Sequence, residues 1–201
     1  MPDAPKIEVD EFGQRFLPLE EALMLARQEH KVWNEWSDHP DHKGVRADFS
    51  HYDFSDDPIN FRLFHFTGPV IFTHCTFYEA DFLAAIFSGL VANFSGVTFS
   101  GREANFYGAE FSGANAYFGK TEFSGGRADF AGAQFKKAAN FYGAKFLHDA
   151  DFQRAHFESA AVFTDTTFQH VPDFRYTNPK VHFPYMVWIL SLSPGQKRTF
   201  Y

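Results

Sequence analysis

Ala92-Asn93-Phe94-Ser95-Gly96, Ala104-Asn105-Phe106-Tyr107-Gly108 and Ala128-Asp129-Phe130-Ala131-Gly132 share one five-residue pattern: a small residue, an amide or carboxylate, Phe, a variable residue and Gly. Outward from these runs, Phe recurs at 72, 77, 82, 87, 94, 99, 106, 111, 118, 123, 130, 135, 141, 146, 152, 157, 163, 168 and 174. Steps of five alternate first with steps of seven and then with steps of six. Two residues before nearly every Phe sits a compact side chain, such as Val70, Cys75, Ala85, Val97, Ala116, Thr121, Ala133 or Ala155. Alternate residues of an extended segment point the same way, so each small-x-Phe triplet puts one small and one large residue on a shared inward face. A helix needs apolar residues at i, i+3, i+4 and i+7, and a step of five fails that template. Ordinary antiparallel strands fail as well, because Gly or Ser turns each extended piece after about three residues. What remains is a coil of short faces, stacked so that equivalent faces pair in parallel at ~4.8 Å.

The three runs resemble the A(D/N)(L/F)xx unit of the pentapeptide-repeat family, and the resemblance covers roughly two thirds of the chain. It implies an all-β solenoid, a right-handed quadrilateral β-helix with four faces per turn. Four faces turn the irregular spacing into a test of phase. Face one then takes Phe49, Phe72, Phe94, Phe118, Phe141 and Phe163, and face two takes Phe54, Phe77, Phe99, Phe123, Phe146 and Phe168. Face three takes Phe61, Phe82, Phe106, Phe130, Phe152 and Phe174, and face four takes Phe66, Phe87, Phe111, Phe135 and Phe157. The long steps fall at two opposite corners, and only the step from Phe77 to Phe82 lacks its extra residue. Nearly six turns are expected.

Composition agrees with one repeated environment. Of 201 residues 45% are hydrophobic, and Phe occurs 28 times against 3 Trp and 8 Tyr. The single cysteine, Cys75, excludes an internal disulfide framework and sits at an inward small-residue position, so it reads as a packing residue and not a nucleophile. With no charged-then-apolar leader over Met1 to Phe12, the expected location is the cytoplasm. The longest apolar run, Tyr185 to Leu190, is far short of the ~20 residues of a transmembrane helix. A net charge of -7 disfavours direct nucleic-acid binding.

A stacked coil exposes apolar interior and strand edges at both ends, so caps are expected. The predicted organisation is an N-terminal segment with a capping α-helix (1–46), the β-helix (47–174) and an irregular C-terminal cap or dimer-contact tail (175–201). The helix is predicted over Leu17 to Trp36: Pro18 suits its first turn, Glu20 and Glu21 its positive end, and Leu19, Leu23, Ala26, His30 and Trp33 one face. Asp38 to Lys43 reads as a polar link. Pro172, Pro179, Pro184 and Pro194 end the regular pattern, and Phe183 to Leu192 either folds over the last turn or joins a second copy, since members of the family pair end to end. Ser193 to Arg198 reads as a linker or frayed end.

Several constellations carry possible chemistry. Asn60, Asp81, Asn105, Asp129, Asp151 and Asp173 precede the face-three Phe residues; the row reads as a phosphate mimic or, with more physical support, as turn-forming side chains bonded to nearby amides. His148 and His170 fall one above the other at one corner, two imidazoles without a clear third metal ligand, and Asp38-His39-Pro40-Asp41-His42 is discounted on the same ground. Lys120, Arg127, Lys136, Lys137 and Lys145 are assigned to different faces as solvated charge. No phosphate loop, HExxH or nucleophile elbow occurs, so no catalytic, cofactor-binding or metal residue is assigned and no cofactor is expected. The expected function is a non-catalytic protein-binding scaffold with an unidentified protein partner and a possible homodimer through the C-terminal tail. The alternative, implied by the family resemblance, is a DNA-mimic modulator of DNA gyrase or another topoisomerase. An enzyme ranks third, because a filled Phe column leaves little room for a pocket.

Overall fold

The computed structural model describes residues 5–113, 115–178 and 187–188. Short strands pair in parallel around a right-handed quadrilateral β-solenoid, and each assigned ladder of phenylalanines stacks turn upon turn. On face one Phe72 lies on Phe49 with centroids 5.0 Å apart, and the stack runs unbroken to Phe163 on Phe141 at 4.8 Å. Faces two, three and four stack likewise, from Phe54, Phe61 and Phe66 up to Phe168, Phe174 and Phe157. Rings of different faces meet edge to face, as where Phe106 of face three meets Phe99 of face two at 87° and Phe118 of the opposite face one at 89°. The result is five complete turns, named here by their face-one residues Phe49, Phe72, Phe94, Phe118 and Phe141, and three faces of a sixth begun by Phe163.

The irregular step has a direct structural consequence. In turns three and four each seven-residue step is followed by a strand three residues long: Val91–Asn93, Glu103–Asn105, Asn115–Tyr117 and Arg127–Asp129. After a step of five or six it is two residues long, as in Ala80–Asp81, Ala139–Asn140, Ala150–Asp151 and Ala161–Val162. The tight corners follow faces one and three. There the residue two after the Phe has positive φ in every turn: His51, His74, Gly96, Lys120, Gly143 and Asp165 after face one, and Leu63, Ala84, Gly108, Gly132, Arg154 and Tyr176 after face three. In each such turn the next amide returns to the Phe carbonyl, as Val97 N does to Phe94 O at 3.2 Å, which is the pattern that favours glycine at the third position.

The N-terminal cap corrects the sequence reading in two places. Leu17 belongs to a strand, Arg15–Leu17, which pairs in parallel with Arg46–Asp48 and in antiparallel with Glu8–Val9, so a hairpin extends the face-one sheet below the first turn. The expected single helix is two, α1 (Leu19–Ala26) and α2 (Glu29–Asp38), broken where Glu29 takes φ 69°. The break lets both helices lie on the coil end, α1 beside Arg46–Asp48 and α2 beside His65–Phe66. Pro18 stands at the N-cap of α1, one position outside the first turn expected for it, while Glu20 and Glu21 occupy that first turn, as expected. Trp33 is buried against Phe64 at 5.4 Å and Phe66 at 5.2 Å, closing the apolar column from below.

Hydrogen bonds of α2 substitute for a missing strand. In higher turns of face four, amides such as Ile86 N and Ser88 N bond to the turn beneath. Their first-turn equivalents, His65 N and Thr67 N, are met by Asn34 Oδ1 at 2.7 Å and Ser37 Oγ at 3.3 Å. Arg27 and Tyr52 both converge on Asp57 and tie α1 to the first turn. At the other end Val187–Trp188 adds a parallel strand to Thr167–Phe168 on face two. Apart from 175–178 and this strand, the predicted tail, with Pro179, Pro184, Pro194 and the proposed dimer contact, lies outside the described residues. No helix among the described residues is long and apolar enough to cross a membrane.

Candidate functional surfaces

The interior is committed to packing, so chemistry is confined to the outward positions and corners. The face-three row does what turn-forming side chains do: Asn60, Asp81, Asn105, Asp129, Asp151 and Asp173 each accept, through Oδ1, the amide two residues on, at 2.8 to 3.1 Å. The free lone pairs are also engaged. Arg127 reaches Asp129 at 3.0 Å, Asp151 at 2.5 Å and Glu103 at 3.5 Å, while Arg175 and Gln153 both bind Asp173. Burial pushes the Asp129 carboxyl above its ordinary value, with Asp151 adding to it and the Ala131 amide and Arg127 opposing it. Asp173 is held below the usual range, chiefly by Arg175.

Three of the residues expected as scattered charge are paired between turns. Besides Arg127, Lys136 bonds Glu110 at 2.9 Å and Lys145 bonds Glu122 at 3.3 Å, each partner lying one turn below. Parallel stacking brings residues some 24 positions apart into register, so opposite charges meet that look unrelated along the chain.

His148 and His170 do share a corner, edge to face at 6.0 Å, and His170 Nδ1 lies 2.8 Å from Asp149 Oδ1. In the Asp38 to His42 segment the imidazoles finish α2: His42 stacks on Trp36 at 4.6 Å with Nδ1 2.8 Å from the Trp36 carbonyl. Among the described residues no group of three or more His, Cys, Asp or Glu is placed to hold a metal ion. Cys75 is buried, its thiol pushed up to about 12 by desolvation, and it donates to Phe49 O at 2.9 Å. Thr121 and Thr166 occupy the same inward column and donate to Phe94 O and Phe141 O, both at 2.7 Å, so the column's polar atoms are used in joining turns.

The outer surface is shallowly notched. A recess of about 270 Å³ on face three is lined by Glu79, Ala80, Asp81, Arg102, Glu103 and Asn105, where the short Phe77-to-Phe82 step leaves turn two beside the longer corner of turn three. A second, of about 320 Å³, lies between α2 and the first turn beside Glu29, His30, Asn60 and Arg62. Sequence reasoning missed Asn34 and Ser37, whose role depends on which strand edge α2 reaches, a matter of tertiary placement that no local motif announces.

Residues 61–102 and 101–145 match the model for pentapeptide repeats, described as nine copies. The coil is a pentapeptide-repeat domain. The matched residues span the second to fourth turns and the flanks of the first and fifth, and the stacked ladders carry the same geometry beyond them to Phe49 and Phe174. Comparison with curated proteins and with solved structures returned no match.

Proposed function

We propose that this pentapeptide-repeat chain is a non-catalytic scaffold that holds a protein partner against the outside of a rigid coil. The reading is carried by the interior: stacked rings occupy all four ladders, so binding is left to flat faces and corners, where side chains such as Arg127, Lys136 and Lys145 are held by inter-turn hydrogen bonds. Rigid placement lowers the entropic cost of holding a partner. A buried thiol with no disulfide suits a reducing compartment such as the cytoplasm. Affinity capture on the full chain from its native cell, with the mass and stoichiometry of the complex measured alongside, tests the reading. A stable protein complex of defined stoichiometry supports it. Recovery of the bare chain, or turnover of a small molecule by it, would overturn it.

A second reading, a duplex mimic acting on a topoisomerase, is favoured by the acidic row of face three and the net charge of -7. Against it, the row includes Asn60 and Asn105, and Arg127 and Arg175 neutralise its carboxylates. A supercoiling assay with DNA gyrase separates the two: inhibition or protection at micromolar protein favours mimicry, and no effect sets it aside.

A further inference from the structure

We propose that face one is a self-association surface, on which a second copy of this chain packs antiparallel about a two-fold axis lying between the fourth and fifth turns. Three observations meet on this face. The first is charge. The pentapeptides Pro69–Thr73, Val91–Ser95, Asn115–Gly119, Ala138–Tyr142 and Ala160–Thr164 contain no Asp, Glu, Lys, Arg or His. At the equivalent positions face three carries Asp81, Glu103, Arg127, Asp129, Asp151 and Asp173. Two copies each bearing -7 repel, and this is a side on which they can approach without opposing like charges.

The second observation is a glycine that the fold does not require. In the column following each face-one Phe stand Ser50, Thr73, Ser95, Gly119, Tyr142 and Thr164. Gly119 is not among the positive-φ residues, and a Cβ there would meet only Tyr142 O at 3.6 Å and the Ser95 hydroxyl at 3.9 Å, ordinary contact distances. The fourth turn therefore has a dent in a column that otherwise carries side chains. One turn above it Tyr142 stands 44% exposed, in register through Tyr117 beside Asn140.

The third is the symmetry of that pair. A knob and a dent in one column, one turn apart, are self-complementary under a two-fold axis perpendicular to the coil and midway between them. The operation places Tyr142 over the partner's Gly119 and repeats the contact in reverse. It also sets Tyr117 opposite the partner's Asn140, and Asn93 opposite the partner's Val162. Lys120, at the adjoining corner, faces the partner's Gly143 and not another lysine. Both copies share the ~4.8 Å rise, so their ridges remain commensurate along the contact, a match that an unrelated surface lacks. The operation overlaps the third to sixth turns, about 19 Å by 17 Å, on the order of 300 Å² per copy, below the size of a stable complex. The association is therefore reversible.

Sedimentation equilibrium of the full chain over a wide concentration range reads the outcome. A monomer–dimer equilibrium is expected, with the dissociation constant raised at least tenfold by Gly119→Val, which fills the dent, and by Tyr142→Ala, which removes the knob. Tyr107→Ala, on face three and 53% exposed, serves as the control and leaves the constant unchanged. Far-UV circular dichroism and Tm confirm that each variant folds. A wild-type chain that stays monomeric to roughly 1 mM overturns the proposal, as does a dimer indifferent to both face-one changes.

Discussion

Phe130→Ala is the sharpest test of the coil. The ring is fully buried, stacked between Phe106 at 4.9 Å and Phe152 at 5.0 Å and met edge-on by Phe118 at 5.3 Å and Phe141 at 5.5 Å. Truncation removes the transfer free energy of the ring and leaves a cavity that cannot close, because its walls are rings held by the turns above and below. The expected cost is about 3 to 5 kcal/mol. For a chain of this size that corresponds to a Tm lower by roughly 6–20 °C. In a one-dimensional stack the damaged turn also weakens the coupling between the halves it joins, so the transition is expected to broaden as well as shift. Urea titration followed by far-UV circular dichroism measures both effects. Phe130→Leu, which keeps most of the volume, is expected to lose less than half as much. A change under about 1 kcal/mol for Phe130→Ala would refute the account of the core, since no inward ring with those neighbours can be deleted so cheaply.

The remaining expectations concern corners, cap and charge. Gly132 has φ +68° and open space around its Cβ position, so Gly132→Ala isolates the backbone term and should destabilise by ~1–2 kcal/mol, whereas Ala84→Gly, at φ 52°, should stabilise; thermal melts of the two decide it. Asn34→Ala leaves the Leu63 carbonyl and the His65 amide without their side-chain partner and is expected to cost ~1–3 kcal/mol in denaturant titration. Cys75 should react with a thiol reagent only when the coil unfolds, so its labelling rate should track the unfolded fraction as denaturant is added. Asp129, whose carboxyl is raised by burial, binds its proton more tightly folded than unfolded: its ionised form costs stability at neutral pH, and that cost fades as pH falls through the folded value. Asp129→Asn keeps the Oδ1 acceptor for Ala131, so relative to wild type it should gain more at pH 7 than at pH 3, and the reverse order of stabilities would contradict this.

The fold was legible because its period is imposed by the inside. Each inward ring must stack on one from the turn below, so an error of a single residue at Phe82 or Phe152 would turn an apolar side chain to water. The chain compensates in the corners, where the seven-residue steps of turns three and four appear as three-residue strands and the glycines at 96, 108, 132 and 143 mark tight turns. The cap was half legible. Leu23, Ala26 and Trp33 announced a buried helical face, but nothing local signals that Glu29 adopts a left-handed conformation. The break reflects the need of α1 and α2 to meet two different sides of the first turn.

The outer surface was legible only in part, for a reason of distance along the chain. Turn-forming roles such as that of Asp151 toward the Gln153 amide span two residues and can be read from one pentapeptide. The pairs Lys136–Glu110 and Arg127–Asp151 span more than twenty, and become visible only once the phase of every turn is fixed. The same holds for what a face lacks. The five uncharged pentapeptides of face one are separated by charged ones belonging to the other faces, so their neutrality is invisible until the coil gathers them into one plane. Gly119 shows why the distinction matters: in sequence it resembles any other corner glycine, yet its backbone does not need to be one. A glycine where geometry permits a side chain directs attention to what approaches from outside, and the side chain that the proposed two-fold brings there is the exposed Tyr142, one turn away on an identical surface.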